Sequence, residues 1–539
     1  MQKNIKILLC FSMFLMLFGC RQETEVVRPS EEEIEQKKES NIVSDYGTIE
    51  IKELEPFYTP SEKTKSGTSM WNNPTVPEAY NRYRKFAVKF LQASIDKEEN
   101  NFISPLSFYY AMAILANGAS GNTRAEIETA LEMNVQDLNY FLKDLDINSA
   151  DYDIPNYNKA NVLLFNTNYG LKLKDAFKEV IMEYYGDSIE EYDFGSGKGL
   201  ADKINNWVKG NTNGNIDSLV RDDDFDETTA FLILNALSFR SEWSIPFETS
   251  NTFYEEFHNY DNSTSLVEMM HESMTGYWSD DKSQGFSKWT MNGHNLMAIV
   301  PNLNVDIYDY INQMNGDTFR NYGYTDFTDM DFSEENGCLA DLHITNLSFP
   351  KFSYEKEYDL KETLIRMGLK NLFDYKNCDF SAMAEGDKTL IDELCVDKAR
   401  QKCSIEVNEK EVIASAVTAV MGGYGGDGCA VRNYIYHDVI FDRPFLFAIQ
   451  DNEYDRPLFI GVVAKLGEPI EKAIQIKNIT GKINIRSLPS TQGEKLGTFE
   501  KDKIIYAFET KEAEGYTWYR IGTDKWVADK NGEWIKVLG

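Results

Sequence analysis

Two hydrophobic periodicities alternate along residues 79–467. Apolar residues recur at helical spacing between 79 and 95, which predicts an amphipathic helix. Residues 108–119 are apolar enough to predict a buried helix. Residues 231–237 form a continuous apolar run, which is typical of a strand at the centre of a sheet. The pattern therefore predicts an α+β fold for this region.

The pattern changes after residue 467. Short apolar runs separated by turn residues occur at 483–486, 504–508, 518–521 and 525–527. Several short strands at such close spacing are typical of a small all-β barrel. We therefore expect residues 468–539 to form a separate β-domain.

The first residues follow the pattern of an export signal. Lys3 and Lys6 precede an apolar stretch that ends at Cys20, which predicts a signal peptide over 1–19. The sequence Leu-Phe-Gly-Cys resembles the bacterial lipobox, in which the Cys is acylated and anchors the chain to a membrane surface. The alternative is an ordinary signal peptide with an incidental Cys. Residues 20–76 are rich in Glu, Ser, Thr and Pro and predict an acidic, flexible tether.

The net charge and the length of the chain restrict the classes of function to be considered. The 539 residues carry a formal net charge of −32, which disfavours binding to nucleic acid. Residues 468–539 hold 12 Lys or Arg and 11 Asp or Glu, a net of +1, so the acidity lies almost wholly in residues 1–467. No apolar run reaches the roughly 20 residues of a spanning helix. The length itself favours several domains.

Motifs of enzymes and metal sites are missing from the sequence. None of the five His residues belongs to a His-Glu-x-x-His motif, and there is no Gly-x-Ser-x-Gly elbow. Residues 329–333 begin like a calcium loop, but Glu334 and Ala340 replace the Gly and the final Glu. This segment is interpreted as a solvated acidic loop. We expect no catalytic residues, no metal and no cofactor.

One window stands out because residues 412–426 carry no charge. Its first half alternates, which would place Val412, Ala414, Ala416 and Thr418 on one face of a strand. Its second half is rich in Gly and cannot continue a good strand. Two interpretations stay open: a core strand that ends in a loop, or a segment that can lie outside a sheet and also enter it.

Motifs spread over about 390 residues resemble the serpin family and occur in the family's order. They lie at 101–107, 118–123, 204–208, 213–216, 234–239, 405–409, 442–447 and 458–461. The resemblance implies a serpin domain over residues 77–467. Its fold would contain three β-sheets, about eight or nine helices and an exposed reactive loop.

The resemblance also implies a mechanism. Serpins are suicide inhibitors: a protease cleaves the loop, forms an acyl-enzyme, and is trapped when the loop enters the main sheet as a new strand. Inhibitory members usually have Gly and then Thr or Ser where this chain has Glu411 and Val412, and a charge at the entry point could slow insertion. The hinge implied by the resemblance comprises Glu409, Glu411, Val412, Ala414, Ser415, Ala416 and Thr418.

The scissile bond is expected near the end of the uncharged window. Family spacing from Glu409 gives Gly425, followed by Gly426, and a hinge shorter by one residue gives Tyr424. Cleavage of Tyr424–Gly425 implies a chymotrypsin-like target or a broad-specificity cysteine protease. Arg432 is the alternative and implies a trypsin-like target.

Further family positions lie beneath the main sheet. Ser104, Ser107 and Asn235 match the polar shutter, and Trp243 matches the breach at the top of the sheet. Gln401 stands where the family has a His. Gln can still bridge hydroxyl and backbone groups, but it removes any pH sensitivity from that site.

Residues 468–539 resemble bacterial Src-homology-3-like domains through the segment 484–490 and the pair Trp526-Val527. The resemblance implies a cell-wall or protein ligand. The alternative is a spacer or stabilising cap without a ligand.

The sequence thus predicts a monomeric protease inhibitor, exported and lipid-anchored at the bacterial envelope, with a protease as its partner. The alternative is a non-inhibitory serpin that serves as a binding or adhesion module. Five Cys would remain after signal removal and acylation, an odd number, and Cys429 is expected to be an exposed, reactive thiol.

Overall fold

The fold is taken from a computed structural model. The structure describes residues 54–58 and 75–538, apart from gaps at 98, 150–157, 187, 197–198, 213, 215, 217, 226–227, 240, 292, 320–326, 334–336, 397, 413–428, 452–454 and 470–472.

The part of the chain that the structure describes contains nine α-helices. They are α1 (Val76–Ser94), α2 (Pro105–Gly118), α3 (Gly121–Leu131), α4 (Val135–Ser149), α5 (Asp175–Tyr185), α6 (Leu200–Asn211), α7 (Ile307–Asn312), α8 (Lys361–Arg366) and α9 (Lys388–Asp392). Short 3-10 turns lie at Phe194–Ser196, Asp222–Asp224, Thr249–Asn251, Gly316–Phe319 and Asn371–Phe373.

The strands fall into two groups along the chain. The first group is β1 (Asn101–Ile103), β2 (Asn158–Asn166), β3 (Leu171–Leu173), β4 (Ile189–Tyr192), β5 (Phe231–Ser238), β6 (Ser241–Glu242), β7 (Thr252–His258), β8 (Thr264–Met274), β9 (Tyr277–Ser279), β10 (Ser283–Trp289), β11 (His294–Pro301), β12 (Phe327–Ser333), β13 (Gly337–Pro350), β14 (Phe352–Asp359), β15 (Ala384–Gly386), β16 (Ala399–Val407), β17 (Glu411–Val412), β18 (Cys429–Ile440), β19 (Phe445–Asp451), β20 (Arg456–Val463) and β21 (Glu468–Pro469). The second group is β22 (Ile474–Asn478), β23 (Ile483–Arg486), β24 (Lys495–Phe499), β25 (Ile504–Ala507), β26 (Glu509–Ala513), β27 (Tyr516–Gly522), β28 (Lys525–Asp529) and β29 (Ile535–Val537).

The main sheet has five strands in the order β14-β16-β5-β2-β4. Strand β5 is its central strand, as the continuous apolar run at 231–237 predicts. The strands β16 and β5 are parallel, whereas β14 and β2 run antiparallel to their inner neighbours. Strands β2 and β4 are also parallel, so the sheet alternates between antiparallel and parallel pairs.

Helix α2 packs beneath this sheet. Pro105 begins the helix, where its missing N–H costs nothing. The Ser104 hydroxyl accepts a hydrogen bond from the Ser107 N–H at 3.3 Å and caps the helix. All but one of the residues of α2 are buried, so the apolar run at 108–119 forms the buried helix that the sequence predicts.

Two larger sheets and two two-stranded sheets, β15-β3 and β17-β6, complete the described part of the body. A six-stranded sheet runs β1-β20-β19-β11-β10-β9, and a second one is built around β13, which pairs with β8, β12 and β18. Phe349, Phe441 and Phe445 pack edge to face or at a tilt between these sheets, with ring centroids 5.0–5.4 Å apart. Aromatic packing of this kind ties the two sheets together.

The solvated loop predicted at 329–333 is wrong. The segment belongs to β12, which pairs antiparallel with β13 and has a register shift between Thr328 and Asp331. The backbone groups at the edge of β13 are paired in this way, which outweighs the acidic composition of the segment. The segment is therefore an edge strand and not a calcium-binding loop.

The predicted tether contains a packed segment. The backbone N–H groups of Phe57 and Tyr58 donate to the Asp137 carboxylate at 2.9 and 3.1 Å, and the Tyr58 hydroxyl donates to Asp144 at 2.8 Å. Tyr58 is buried against Phe141. Residues 54–58 are thus part of the body, on helix α4.

Residues 474–538 form what we call the C-terminal β-domain. It contains a three-stranded sheet, β25-β22-β29, and a five-stranded sheet, β24-β23-β28-β27-β26. Strands β23, β25, β27 and β28 cover the runs that the sequence predicts as strands. The two sheets enclose a small apolar core that includes Ile485, Ile521 and Val527.

This domain packs closely against the body. Phe253 of β7 belongs to the core of the C-terminal β-domain, and the Lys503 ammonium lies 3.7 Å above its ring. Tyr254 and Phe508 meet edge to face at 4.4 Å. The connection passes through Gly467, where φ is +83° and an added Cβ would lie 2.3 Å from the Leu266 carbonyl oxygen, so that a larger residue is excluded. Strand β21 then pairs with β8.

Candidate functional site

The main sheet is paired only partly at its centre. Strands β16 and β5 form a register of three positions, in which residues 399–401 face 233–235. Along its other edge β16 pairs with β14 from Arg400 to Val407. No ladder to β5 is described for residues 402–407 of β16, which lie beyond this register. We call the unpaired stretch beyond the register the gap.

A buried polar cluster closes the lower end of the gap. The Gln401 side chain accepts a hydrogen bond from the Ser104 N–H and donates to the Ser104 carbonyl, both at 3.0 Å. The Ser104 hydroxyl donates to the Leu458 carbonyl at 2.9 Å. All these groups are buried, so the amide of Gln401 satisfies backbone groups that water cannot reach.

The other predicted shutter residues lie nearby. Ser107 is fully buried in the first turn of α2. Asn235 is the Cα partner of Gln401 in the parallel register. The structure thus brings Ser104, Ser107, Asn235 and Gln401 to one place under the main sheet.

Trp243 lies at the upper end of the gap. Its indole N–H donates to the Asn408 carbonyl at 2.9 Å, just beyond the end of β16. Its ring is 2% exposed and meets Phe247 edge to face at 5.9 Å. The Phe247 N–H in turn donates to the Glu409 carbonyl at 2.8 Å. Body residues therefore hold both backbone carbonyls at the start of the hinge.

The predicted hinge begins with a turn and a short strand. Glu411 and Val412 form the short strand β17, which pairs antiparallel with Ser241 and Glu242 of β6. The Lys410 N–H donates to the Asn408 side chain at 2.9 Å, which fixes the turn between β16 and β17. Ala414, Ser415, Ala416, Thr418, Tyr424, Gly425 and Gly426 lie outside the described residues.

Four charged side chains lie together near the predicted hinge, and we call them the hinge cluster: the buried Glu409 and Lys525 and the half-buried Glu268 and Lys351. The Lys351 ammonium contacts Glu268 and Glu409, each at 3.1 Å. The Lys525 ammonium lies 3.8 Å from Glu409. Lys351 lies at the corner between β13 and β14, and Lys525 begins β28 of the C-terminal β-domain.

The pKa shifts of the cluster follow from burial and from the opposite charges. Burial lowers the pKa of Lys525, although Glu409 and Glu268 oppose this effect. Burial also acts to lower the pKa of Lys351, but Glu268 and Glu409 outweigh it, so that pKa is raised. Burial acts to raise the pKa of Glu268, but Lys351 and Thr523 outweigh it and lower that pKa. The opposite charges therefore favour the ionised forms of Glu268 and Lys351.

Strand β18 follows the predicted reactive loop along the chain. Cys429 begins this strand, where it is the Cα partner of Cys338 in parallel register with β13. Its backbone thus belongs to a sheet, whereas the sequence predicts an exposed loop. Arg432 is also in β18, and its side chain donates to Asp341 at 2.8 Å. The thiols of Cys378, Cys395 and Cys403 are free and buried.

Other kinds of site are not found in the described residues. They contain no group of three or more His, Cys, Asp or Glu side chains placed to hold a metal ion. No helix in the same residues has the length and apolar character needed to cross a membrane. The predicted acylation site, Cys20, lies outside the described residues.

Strands β16 and β5 run parallel to each other. A segment that turned back after β16 and lay between them would run antiparallel to both. The predicted hinge follows β16 directly along the chain.

The comparison with protein families decides the classification. The family model described as "Serpin (serine protease inhibitor)" matches residues 81–466. This chain belongs to the serpin family. Plasminogen activator inhibitor 1 of Bos taurus is 26% identical over 392 residues, which cover 70% of this chain and 90% of the relative. Alpha-1-antiproteinase of Ovis aries is 27% identical over 391 residues, covering 70% and 85%.

Solved serpin structures have the same fold as this chain. The thermophilic serpin tengpin in its native state aligns with a TM-score of 0.61 at 29% identity, covering 72% of this chain and 94% of tengpin. Tengpin in its latent state aligns with a TM-score of 0.57 at 27% identity.

The structure brings the predicted shutter residues together, whereas sequence reasoning gave no sign of three charged side chains near Glu409. Lys351, Glu268 and Lys525 are far from it in sequence and belong to no quoted motif. The only available signal was the nearly neutral charge of residues 468–539 beside a strongly acidic body.

Proposed function

We infer that this serpin inhibits endopeptidases by loop insertion. Its relatives include proteins named as an inhibitor and an antiproteinase. In the proposed reaction, the target protease's nucleophile attacks a carbonyl in the loop, the peptide bond breaks, and an acyl-enzyme forms. The serpin supplies no catalytic residue. It supplies a bait, a hinge and a sheet that can accept a strand.

The observation that carries this proposal is the gap between β16 and β5. Three paired positions hold the strands together at the shutter, and beyond them the edges can pair with an entering segment. Such a segment would gain hydrogen bonds on both sides, each worth about 1 kcal/mol net. Cleavage releases the constraint that the connection to β18 imposes on the loop.

The hinge sequence is compatible with entry. The inward face would carry Val412, Ala414, Ala416 and Thr418, which are small or apolar residues. A packed sheet tolerates such side chains, whereas a bulky or charged residue would obstruct insertion. Glu411 is the departure from the family pattern. We expect it to slow insertion without preventing it.

Among the candidate bonds, we favour Tyr424–Gly425 over Arg432. Arg432 is paired with Asp341 inside a strand, and a protease needs an extended substrate outside a sheet. A chymotrypsin-like or broad-specificity protease is therefore the proposed target. Gly425–Gly426 and a cut after Arg432 remain the alternatives for the experiment below.

The proposed location is the bacterial envelope. Residues 1–19 would be removed on export, and acylated Cys20 would anchor the chain to a membrane, with residues 21–53 as a tether to the body.

The C-terminal β-domain is proposed to be Src-homology-3-like. Its strands and the motif at 484–490 support this assignment.

A protease panel tests the inhibitory function. The purified chain is incubated with chymotrypsin, subtilisin, elastase, trypsin and papain, and the products are separated by denaturing electrophoresis. Inhibition predicts a band near the summed mass of serpin and protease, and mass spectrometry of the released peptide identifies the bond. Cleavage of the loop by every protease with no such band would reject inhibition and favour a binding role.

A matched variant controls for the bait. Tyr424→Ala should abolish the complex with chymotrypsin, whereas Tyr436→Ala changes an exposed aromatic residue of β18 and should leave it unchanged. If Arg432→Ala alone abolished complexes, the bond assignment would move to Arg432.

A further inference from the structure

The C-terminal β-domain reaches the hinge of the reactive loop. The turn between β27 and β28 carries Thr523 and Lys525 to the body. Thr523 donates to Glu268 through its backbone N–H at 2.8 Å and its hydroxyl at 3.0 Å. Lys525 lies 3.8 Å from Glu409. One turn of an appended domain thus contacts two of the acidic residues in the hinge cluster.

Lys525 is unusually buried for a lysine, with 4% of its surface exposed. Its ammonium donates to the Thr249 carbonyl and, at 3.1 Å, to the Thr252 carbonyl. Glu409 is the one carboxylate within ion-pair distance of it among the described residues. A buried cation without a carboxylate is costly, so Lys525 depends on Glu409, which Lys351 also contacts at 3.1 Å.

Loop insertion must disturb this arrangement. In the present structure the chain turns at residues 408–410, and residues 411–412 pair with β6, the strand that follows β5 along the chain. For residues beyond 412 to enter between β16 and β5, this turn and its pairing with β6 have to adjust. The adjustment acts on the backbone beside Glu409, whose carbonyl accepts a hydrogen bond from the Phe247 N–H. Contacts to Glu409 therefore differ between the state with the loop outside the main sheet and the state with the loop inserted. A contact that differs between two states can shift the equilibrium between them.

We propose that Lys525 is a positioning residue for the hinge: through Glu409 it holds the loop out of the main sheet, so the C-terminal β-domain sets how readily the loop inserts. This role rests on the loop-insertion mechanism proposed above. It assigns the domain a task within the serpin, in addition to any ligand that the domain binds.

The position of Lys525 favours a role in restraining the hinge over a role in stabilising the docking of the C-terminal β-domain. The domain is already fastened to the body by Phe253, by the Tyr254–Phe508 contact and by strand β21. Docking does not need a buried cation at the hinge. Lys525 adds a contact to a residue that must move, whereas the other contacts involve strands that can stay in place.

Four full-length proteins form the test: wild type, Lys525→Met, Glu409→Gln and the double variant. Met keeps the length of the side chain and removes its charge. Each uncleaved protein is warmed, and we measure the rate at which it converts to a resistant monomer. This monomer withstands heat, and proteases no longer cut it within residues 413–428. That product reports insertion, whereas mere loss of stability gives unfolded or aggregated protein.

Lys525→Met should accelerate the conversion about fivefold or more, the effect of a contact worth about 1 kcal/mol. In the Glu409→Gln background the same change should alter the rate by less than about twofold, because the partner is already lost. Lys525→Arg should restore the slow rate. Lys530→Met, which removes an exposed lysine paired within the domain, should leave the rate unchanged.

Three results would overturn the inference. They are a Lys525→Met protein that converts as slowly as wild type, one that aggregates without forming the resistant monomer, or an equal acceleration with and without Glu409. Complex formation with the protease panel separates the two proposals. If wild type traps a protease and Lys525→Met converts at the same rate as wild type, only the role of Lys525 is rejected. If wild type never traps a protease, the proposed function itself is rejected.

Discussion

Replacing Gln401 by Leu should weaken the shutter beneath the main sheet. Leu has a similar volume, so the change removes two hydrogen bonds without opening a large cavity. The Ser104 N–H and carbonyl lose partners that now lie at 3.0 Å, and both groups are buried. Each unsatisfied group costs about 1–3 kcal/mol. Allowing for the apolar gain of Leu, we expect a loss of about 3 kcal/mol.

Urea denaturation followed by tryptophan fluorescence measures this effect. A loss of about 3 kcal/mol at a slope near 3 kcal/mol per molar lowers the midpoint by about 1 M. Gln492→Leu is the matched control, because Gln492 is exposed on the C-terminal β-domain and its change should leave the midpoint unaltered. If Gln401→Leu shifted the midpoint no more than this control, the shutter bonds would not stabilise the sheet as argued.

Three further predictions concern other parts of the chain. Thr418→Arg should leave loop cleavage intact but abolish the protease complex on gels, because a charged side chain obstructs insertion; a persisting complex would place Thr418 off the inserting face. Burial and His343 lower the pKa of His437, so stability present above about pH 6.5 is lost as pH falls; the urea midpoint should drop more between pH 7.5 and 5.5 in wild type than in His437→Phe, and equal drops would contradict this. Phe253→Ala should cost about 3 kcal/mol and speed amide exchange in the C-terminal β-domain, whereas exchange unchanged from wild type would show that the docking does not depend on this ring.

The sequence predicts the parts of this serpin whose signals are local. The apolar runs at 108–119 and 231–237 become a buried helix and the central strand, because burial on all sides needs continuous apolar sequence. The family motifs predict the fold and bring Ser104 and Gln401 together. In the C-terminal β-domain, strand β23 begins and ends where the apolar alternation does.

Features that depend on contacts between distant segments could not be predicted. Lys525 looks like an ordinary surface lysine in sequence, and only the docked turn buries it beside Glu409. The acidic segment at 327–333 becomes a strand because the edge of β13 is available to it. Tyr58 lies in a polar stretch, yet it is held by two carboxylates of α4.

The stability of the loop-cleaved protein tests the central claim most directly. Insertion of the cleaved segment between β16 and β5 would add about ten backbone hydrogen bonds at roughly 1 kcal/mol each. At about 2 °C per kcal/mol, the unfolding temperature should rise by roughly 20 °C after a single cut near Tyr424. Calorimetry of intact and cleaved chains measures this difference. An unfolding temperature that stays the same or falls after cleavage would contradict loop insertion.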